Sequence, residues 1–210
     1  MEQQVTYTTS NSYSTRNNLS KNTKNVWIVF HGIGYLSRYF STFFDGLPEE
    51  DNYIIIPQAP AKYYLKNEYK HVGASWLTKE NTAVETNNVL QYIDAIMAQE
   101  NIPTAANLIV LGFSQGVSIA TRWIANRKIN CKQLVLYAGS IPKELTKDHF
   151  LHLTEETKLT IIVGNKDKLI PTEKLQSELS FAQSIFEREM EVITFDGGHE
   201  VQKSIINNLV

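Results

Sequence analysis

The residues of this chain best suited to chemistry form the element G-F-S-Q-G at residues 112–116, in which a serine lies between two glycines. A continuous apolar run at residues 108–111 precedes the element, and a helical pattern of apolar residues follows it from Val117. A serine at a sharp turn from a strand into a helix is exposed above the sheet, where the helix N-terminus favours negative charge. We therefore predict that Ser114 is a nucleophile. The alternative is a glycine-rich turn whose serine has no chemical role.

A serine hydroxyl needs a base that accepts its proton, and His199 is the histidine best placed to be that base. It follows the last apolar run of the chain, in the loop D-G-G-H-E at residues 196–200, whose two glycines allow the imidazole to reach over the sheet. His149 and His152 lie in a polar segment and are expected at the surface. His31 precedes a glycine-rich turn, which indicates a different role.

The imidazole in turn needs a carboxylate that holds its tautomer, and in this chain order the acid lies between the serine and the histidine. Asp167 lies just beyond an apolar run and is the first candidate. Asp196 is the second, although its position three residues before His199 on one short loop makes the approach difficult. Asp148, in a polar segment, is the third.

The reaction also needs backbone N–H groups that stabilise the oxyanion of a tetrahedral intermediate. One donor is expected to be the amide of Gln115, the residue after the nucleophile. The other is expected in the element H-G-I-G at residues 31–34, where glycines on both sides of Ile33 allow its amide to turn inward. A plain turn is the alternative for this element. A phosphate-binding loop is disfavoured because neither of the common glycine-rich phosphate motifs is complete.

Six short apolar runs must position these residues, and most of them are rich in Val and Ile with little alternation. Such runs predict strands that are buried on both faces, as in a parallel sheet covered by helices. They lie at residues 26–30, 53–56, 108–111, 133–137, 159–163 and 190–195. Helical patterns between them begin at Thr82 and Thr172, and a short one ends the chain. This alternation predicts an α/β fold, and without a repeat or a linker we expect one domain over residues 1–210.

The N-terminal segment differs from the rest of the chain because it is polar and rich in Thr, Ser and Asn. Residues 5–9 and 12–16 are β-prone, and they predict an antiparallel hairpin at the edge of the sheet. The segment has no apolar stretch behind a basic start, so it does not have the pattern of a targeting signal. No run in the sequence approaches the 18 or so apolar residues of a membrane span. We therefore expect a soluble, cytoplasmic protein.

Two long connections, residues 57–81 and 139–157, fall where open α/β sheets usually build their sites. We expect the second to line one wall of a substrate cleft without covering it. Tyr64 and Trp76 in the first are expected to line the opposite wall, with Tyr35 near the mouth. Alternatively, these aromatic side chains only cover the sheet edge.

The composition of the chain disfavours several classes of partner. Its 22 acidic and 20 basic residues give a net charge of −2, and the sequence pI is about 6.2. This balance offers no electrostatic attraction to nucleic acid or to an anionic membrane. The single cysteine, Cys131, cannot form an internal disulfide or a thiolate metal site by itself, and a reducing compartment is the simpler expectation.

Taken together, the motifs resemble those of the α/β-hydrolases. Within that fold they are similar to the phospholipase/carboxylesterase family, which includes the acyl-protein thioesterases. The matching stretches run from about residue 26 to the end of the chain in the family's order. They are F-H-G-I-G at 30–34, P-Q-A-P at 57–60, the region of Trp76, G-F-S-Q-G at 112–116, G-N-K-D at 164–167 with Pro171, and G-G-H-E at 197–200.

The resemblance implies a three-layer sandwich, with helices on both faces of a mostly parallel sheet. It implies Ser114, Asp167 and His199 as the catalytic triad, the amides of Ile33 and Gln115 as the oxyanion hole, and neither a metal nor an organic cofactor. The expected activity is that of a serine carboxylesterase acting on a small-molecule ester of short to medium acyl chain. Thioesters and lysophospholipids are further candidate substrates.

Two other functions are compatible with the same residues. An acyltransferase would use the triad but pass the acyl group to an alcohol or an amine, and a non-catalytic homologue would keep the pocket without turnover. Neither a nucleic-acid partner nor stable membrane insertion is expected. The sequence leaves open whether the protein forms a homodimer.

Overall fold

The computed structural model describes residue 1 and residues 3–210 of the chain. Within those residues the strands are β1 (Tyr13–Arg16), β2 (Asn25–Phe30), β3 (Asn52–Pro57), β4 (Ala61–Tyr64), β5 (Val72–Ser75), β6 (Asn107–Phe113), β7 (Gln133–Tyr137), β8 (Lys158–Gly164) and β9 (Glu191–Phe195). The α-helices in the same residues are α1 (Ser37–Phe40), α2 (Thr82–Gln99), α3 (Gln115–Arg127), α4 (Thr172–Phe186) and α5 (Lys203–Asn207).

The main sheet has the strand order β1-β3-β2-β6-β7-β8-β9. Its neighbouring strands pair in parallel except β1, which is antiparallel to β3. The central strands are buried along almost their whole length, which is why their sequences are continuously apolar instead of alternating. The predicted α/β class and mostly parallel sheet are confirmed.

Two apolar clusters lie on opposite faces of this sheet, and strand β2 contributes to both. Phe30 belongs to the cluster that contains Trp123 of α3, whereas Val29 belongs to the cluster with Phe40 of α1 and Ile206 of α5. Successive side chains of a strand point to opposite faces, so each face needs its own cover of helices. The predicted helices on both faces are confirmed.

The N-terminal strand pairs with a different partner from the predicted one. β1 lies antiparallel to β3 at the sheet edge, with Tyr13 opposite Pro57, whereas residues 5–9 form no strand and are exposed. A polar two-stranded hairpin buries too little apolar surface to be stable by itself. The edge of β3 offers unpaired backbone groups instead, and the Tyr13 hydroxyl donates a hydrogen bond to Glu100 at 2.8 Å.

The two long connections contain structure that the sequence patterns do not indicate. The first holds β4 and β5, which form a separate antiparallel hairpin. The second holds a 3₁₀ turn at Lys147–His149, and most of its apolar side chains are buried in the core. These are Ile141, Leu145, Phe150 and Leu153. Among the described helices, none is both long and apolar enough to cross a bilayer.

Candidate active site

Three strands end at the same edge of the sheet, and each is followed by one of the predicted triad residues. Ser114 directly follows β6, Asp167 lies three residues after β8, and His199 lies four residues after β9. Because the carboxyl ends of parallel strands meet at one edge, these short loops place the three side chains together. His199 Nε2 lies 2.8 Å from Ser114 Oγ, and His199 Nδ1 lies 2.7 Å from Asp167 Oδ2.

The backbone at Ser114 is strained. Its φ of +54° and ψ of −118° lie in a region that residues other than glycine rarely occupy, at a cost of about 1–3 kcal/mol. The Ser114 amide holds this conformation by donating a hydrogen bond to the carbonyl of Tyr137 at 2.8 Å. Helix α3 packs so tightly against β2 that a Cβ on Gly116 would collide with the carbonyl of Phe30. Gly116, two residues after the nucleophile, is therefore needed to keep the hydroxyl in place.

The two oxygens of Asp167 have separate partners, and its side chain is fully buried. Oδ1 accepts hydrogen bonds from the amides of Leu169, at 2.8 Å, and Ile170, at 3.3 Å. Oδ2 faces Nδ1 of His199, which must carry the proton in order to donate to it. Nε2 can then accept a hydrogen bond from the Ser114 hydroxyl, which is the arrangement in which a histidine acts as a base.

The loops that carry the acid and the histidine are joined by backbone hydrogen bonds. The amide of Asn165 donates to the carbonyl of Phe195 at 2.8 Å, and the amide of Lys166 donates to the carbonyl of Gly197 at 2.9 Å. The loops approach so closely that a Cβ on Gly164 would collide with the carbonyl of Gly197. The distance between carboxylate and imidazole is thus set by the backbone.

The other candidate acids lie elsewhere. The side chain of Asp196 is 71% exposed and forms an ion pair with Lys166 at 2.6 Å. Asp148 is exposed in the 3₁₀ turn of the second long connection. Asp167 is therefore the one of the three carboxylates that lies against His199.

Two backbone amides beside Ser114 have no hydrogen-bond partner within the described residues. Gln115 is the first residue of α3, so its N–H has no partner inside the helix. The Ile33 amide lies in the turn after β2, where the next residue, Gly34, has a φ of +88° that a side chain would disfavour. A Cβ on Gly32 would lie 3.1 Å from the Cβ of Ser114, so this turn passes directly beside the serine. Two unpaired N–H groups in these positions can donate hydrogen bonds to an oxyanion that forms beside Ser114.

The sequence profile of the Serine hydrolase (FSH1) family matches residues 38–205, which is 168 of the 210 residues. The chain belongs to the FSH1 serine hydrolase family. The matched region contains all three predicted triad residues, and the H-G-I-G element lies just before it. Among curated proteins, none matches this sequence.

Solved structures of esterases share the fold of this FSH1-family hydrolase. Zea mays acyl-protein thioesterase 2 superposes with a TM-score of 0.70 at 15% identity, covering 95% of this chain and 96% of that one. A phospholipase/carboxylesterase from Dyadobacter fermentans gives 0.67 at 17% identity, covering 97% and 98%. The Bacillus cereus carboxylesterase gives 0.65 at 13% identity, covering 94% and 90%. At these identities the similarity establishes an α/β-hydrolase fold, as the motifs predicted.

In this serine hydrolase His31 orders the turn that carries the Ile33 amide. His31 is buried; its Nδ1 donates to the carbonyl of Gly32 at 2.8 Å, and its Nε2 accepts from the amide of Ala59 at 3.1 Å. Only a neutral imidazole can make both bonds. Burial lowers the pKa of His31 to about 4, from an ordinary value of 6.5. The sequence indicated a role other than base, and the contacts identify it as structural.

The buried neutral His31 predicts a loss of stability in acid. Above pH 6.5 the residue is neutral in both states. As the pH falls from 6.5 to about 4, the unfolded chain takes up a proton that the folded chain does not, so the free energy of unfolding falls by about 3 kcal/mol. Urea unfolding at pH 7 and pH 4 measures this loss. His31→Gln should show a loss smaller by that amount, and equal losses in the two proteins would contradict the assignment.

The three aromatic residues predicted to bind substrate lie in different environments. Tyr35 is half-buried beside the site: its ring contacts Phe113, whose own ring centroid lies 5.2 Å from that of His199. Burial raises the pKa of the Tyr35 phenol above its ordinary value. Tyr64 lies on the β4 strand and is 54% exposed. The prediction for Trp76 is corrected, because its side chain is 1% exposed and packs in the core, where it presents no surface to a ligand.

Proposed function

We propose that this protein is a carboxylesterase that hydrolyses small-molecule esters, and thioesters of similar shape, through an acyl-enzyme on Ser114. The observation that carries the proposal is the hydrogen-bond path from Asp167 through His199 to Ser114, which ends beside two unpaired backbone amides. Such a set of groups performs acyl transfer on several unrelated folds. Membership of the FSH1 family and the fold shared with esterases support the same class of reaction.

In the acylation step, Ser114 Oγ attacks the carbonyl carbon of the ester while His199 Nε2 takes the hydroxyl proton. Negative charge develops on the carbonyl oxygen, and the amides of Gln115 and Ile33 donate hydrogen bonds to it. The Asp167 carboxylate stabilises the imidazolium through Nδ1. When the tetrahedral intermediate collapses, the bond to the leaving alcohol or thiol breaks, and the imidazolium returns the proton to it.

In the deacylation step, a water molecule takes the place of the departed alcohol or thiol. His199 removes a proton from this water, which attacks the acyl carbon, and the same two amides stabilise the second oxyanion. Collapse releases the carboxylic acid and returns the proton to Ser114 Oγ. An alcohol or amine that attacked in place of water would make the enzyme an acyltransferase.

The open rim of the site limits the length of acyl chain that can be buried. Ile33, in the turn beside the serine, is 54% exposed, and Leu169, whose amide donates to the acid, is 60% exposed. Tyr63, whose hydroxyl lies 3.9 Å from the position of a Cβ on Gly34, is 39% exposed. Each methylene contributes about 0.8 kcal/mol, or about fourfold in kcat/KM, only while surface remains to bury it. We expect kcat/KM to peak at short to medium chains, with no increase in rate at a lipid–water interface. Rates that climb steadily to long-chain triglycerides, with activation above the micelle threshold, would contradict this.

One experiment tests the proposed function directly. A panel of p-nitrophenyl esters and acyl thioesters of increasing chain length, with a lysophospholipid, should give turnover that a fluorophosphonate abolishes at one equivalent per chain. Labelling should occur on Ser114. A protein that neither turns over these substrates nor reacts with the fluorophosphonate is a non-catalytic homologue. Diversion of most of the acyl group to added alcohols or amines would instead identify an acyltransferase.

A further inference from the structure

The side chain of Gln115 reaches away from helix α3 and binds the end of β5. Its Oε1 accepts a hydrogen bond from the amide of Trp76 at 2.9 Å. Its Nε2 donates to the carbonyl of Leu77 at 2.7 Å and to Ser75 Oγ at 3.0 Å. The orientation of the carboxamide is determined by these partners, because a flipped group would set its NH₂ against the Trp76 amide and its oxygen against the Leu77 carbonyl. One side chain is thus tied to three consecutive residues of another loop.

The same segment also holds the turn that carries the second unpaired amide. The indole of Trp76 donates to the carbonyl of His31 at 2.8 Å. The carbonyl of Ala74, one residue earlier than Ser75, accepts a hydrogen bond from the amide of Gly34 at 2.8 Å. These two anchors lie on either side of Ile33 in the chain. They fix the turn while leaving the Ile33 amide itself unpaired in the described part of the chain.

We propose that the Gln115 carboxamide is a positioning residue that sets the separation between the Gln115 and Ile33 amides. The Gln115 amide begins α3, after β6, whereas the Ile33 amide lies in the turn after β2. The carboxamide links them through the segment Ser75–Leu77 and the anchors on either side of Ile33. This inference rests on the proposed esterase function and adds a residue that acts through the backbone, without touching the substrate.

Oxyanion stabilisation depends strongly on such positioning. Removal of one donor from an oxyanion hole lowers kcat by about 10²–10³-fold, and a misplacement of about 1 Å lowers rates by about 10²-fold. Loss of the carboxamide leaves both backbone amides in the protein but removes the link that fixes their separation. We therefore expect a loss below that of deleting a donor, in the range of about 10–100-fold in kcat.

The test is Gln115→Met, which keeps the length and the helix preference of the side chain and removes its three hydrogen bonds. We expect kcat to fall by about 10–100-fold, with KM within about twofold, on the best p-nitrophenyl ester. Affinity for a short aliphatic trifluoromethyl ketone, which forms a hemiketal oxyanion on the serine, should fall by the same factor. The acid limb of the pH–rate profile should stay in place, because Asp167 and His199 are unchanged.

The matched control is Gln133→Met, which removes a buried carboxamide that is bonded to Thr160 Oγ1 at 3.0 Å and remote from the site. It should lower stability without changing kcat or ketone affinity. If Gln115→Met does not fold, Ser75→Ala removes one of the three bonds and should lower kcat and ketone affinity together, by a smaller factor.

Several results would overturn the inference: wild-type kcat in Gln115→Met, lowered kcat with unchanged ketone affinity, a displaced acid limb, or an equal loss in Gln133→Met. A wild-type protein with no esterase activity would instead count against the proposed function. The two failures are therefore distinguishable.

Discussion

Ser114→Ala will remove nearly all ester hydrolysis, lowering kcat by on the order of 10⁴–10⁶-fold, because no acyl-enzyme can form. His199→Ala should lower kcat by a similar factor, since the nucleophile and its base act as a unit. For the same reason the double variant should be no slower than either single variant. The measurement is kcat on the best p-nitrophenyl ester, with fluorophosphonate labelling as a second readout that should be absent in Ser114→Ala.

Ser118→Ala is the matched control for this prediction. Ser118 lies one helical turn further along α3, and its hydroxyl donates to the carbonyl of Gln115 at 2.8 Å, away from the imidazole. The kcat of Ser118→Ala should stay close to that of the wild type. Near wild-type turnover in Ser114→Ala would place the nucleophile elsewhere in the chain.

Stability measurements separate a chemical role of Ser114 from a role in folding. Alanine meets the same backbone restriction as serine, so Ser114→Ala should unfold at a similar temperature to the wild type. Ser114→Gly should be equally inactive but more stable, by up to the 1–3 kcal/mol that a positive φ costs a residue with a Cβ. Thermal unfolding of the two variants therefore reports the strain directly.

The main sheet and the grouping of the three side chains could be predicted because both depend on local patterns combined with a general topological rule. Continuous Val- and Ile-rich runs indicate strands covered on both faces, and residues after parallel strands meet at one edge. The G-F-S-Q-G element adds a strained turn that glycines make possible. These signals are contained in short stretches of sequence.

The features that were missed depend on contacts between distant parts of the chain. Trp76 directly follows the β4–β5 hairpin, and nothing local in the sequence distinguishes an aromatic residue at a cleft wall from one that donates its indole hydrogen to the carbonyl of His31. Residues 5–9 are as β-prone as the strand that forms, but only the latter reaches the free edge of β3. The β4–β5 hairpin was missed because its two strands, one exposed and the other mostly buried, lack a regular alternation of apolar and polar residues.

The Gln115 side chain shows the same limit at the site itself. Its position after the serine predicts the use of its backbone amide, because that follows from the geometry of the turn. The three partners of its carboxamide lie 38 to 40 residues away in the chain. Only the folded backbone brings them within reach.

Asp167→Asn should lower kcat by about 10³–10⁴-fold, less than the loss of the nucleophile. The physical reason lies in the amides of Leu169 and Ile170, which donate to Oδ1 and would hold the oxygen of an asparagine in the same place. The asparagine NH₂ would then face His199 Nδ1. Nδ1 would have to accept instead of donate, so the proton would move to Nε2, the atom that must take the proton of Ser114. The imidazole would keep its place and lose its function as a base.

Asp196→Asn is the control that distinguishes the two leading candidates for the acid, Asp167 and Asp196. Asp196 pairs with Lys166 at the surface, where a single ion pair contributes about 0–1 kcal/mol to stability and nothing to the tautomer of the imidazole. The kcat of Asp196→Asn should therefore stay within about twofold of the wild-type value. The measurement is kcat for both variants on one ester, with KM expected to change little in either, because neither carboxylate contacts the acyl group. Loss of activity in Asp196→Asn with Asp167→Asn spared would reassign the acid while leaving Ser114 and His199 in their roles, since only the partner of Nδ1 would have changed.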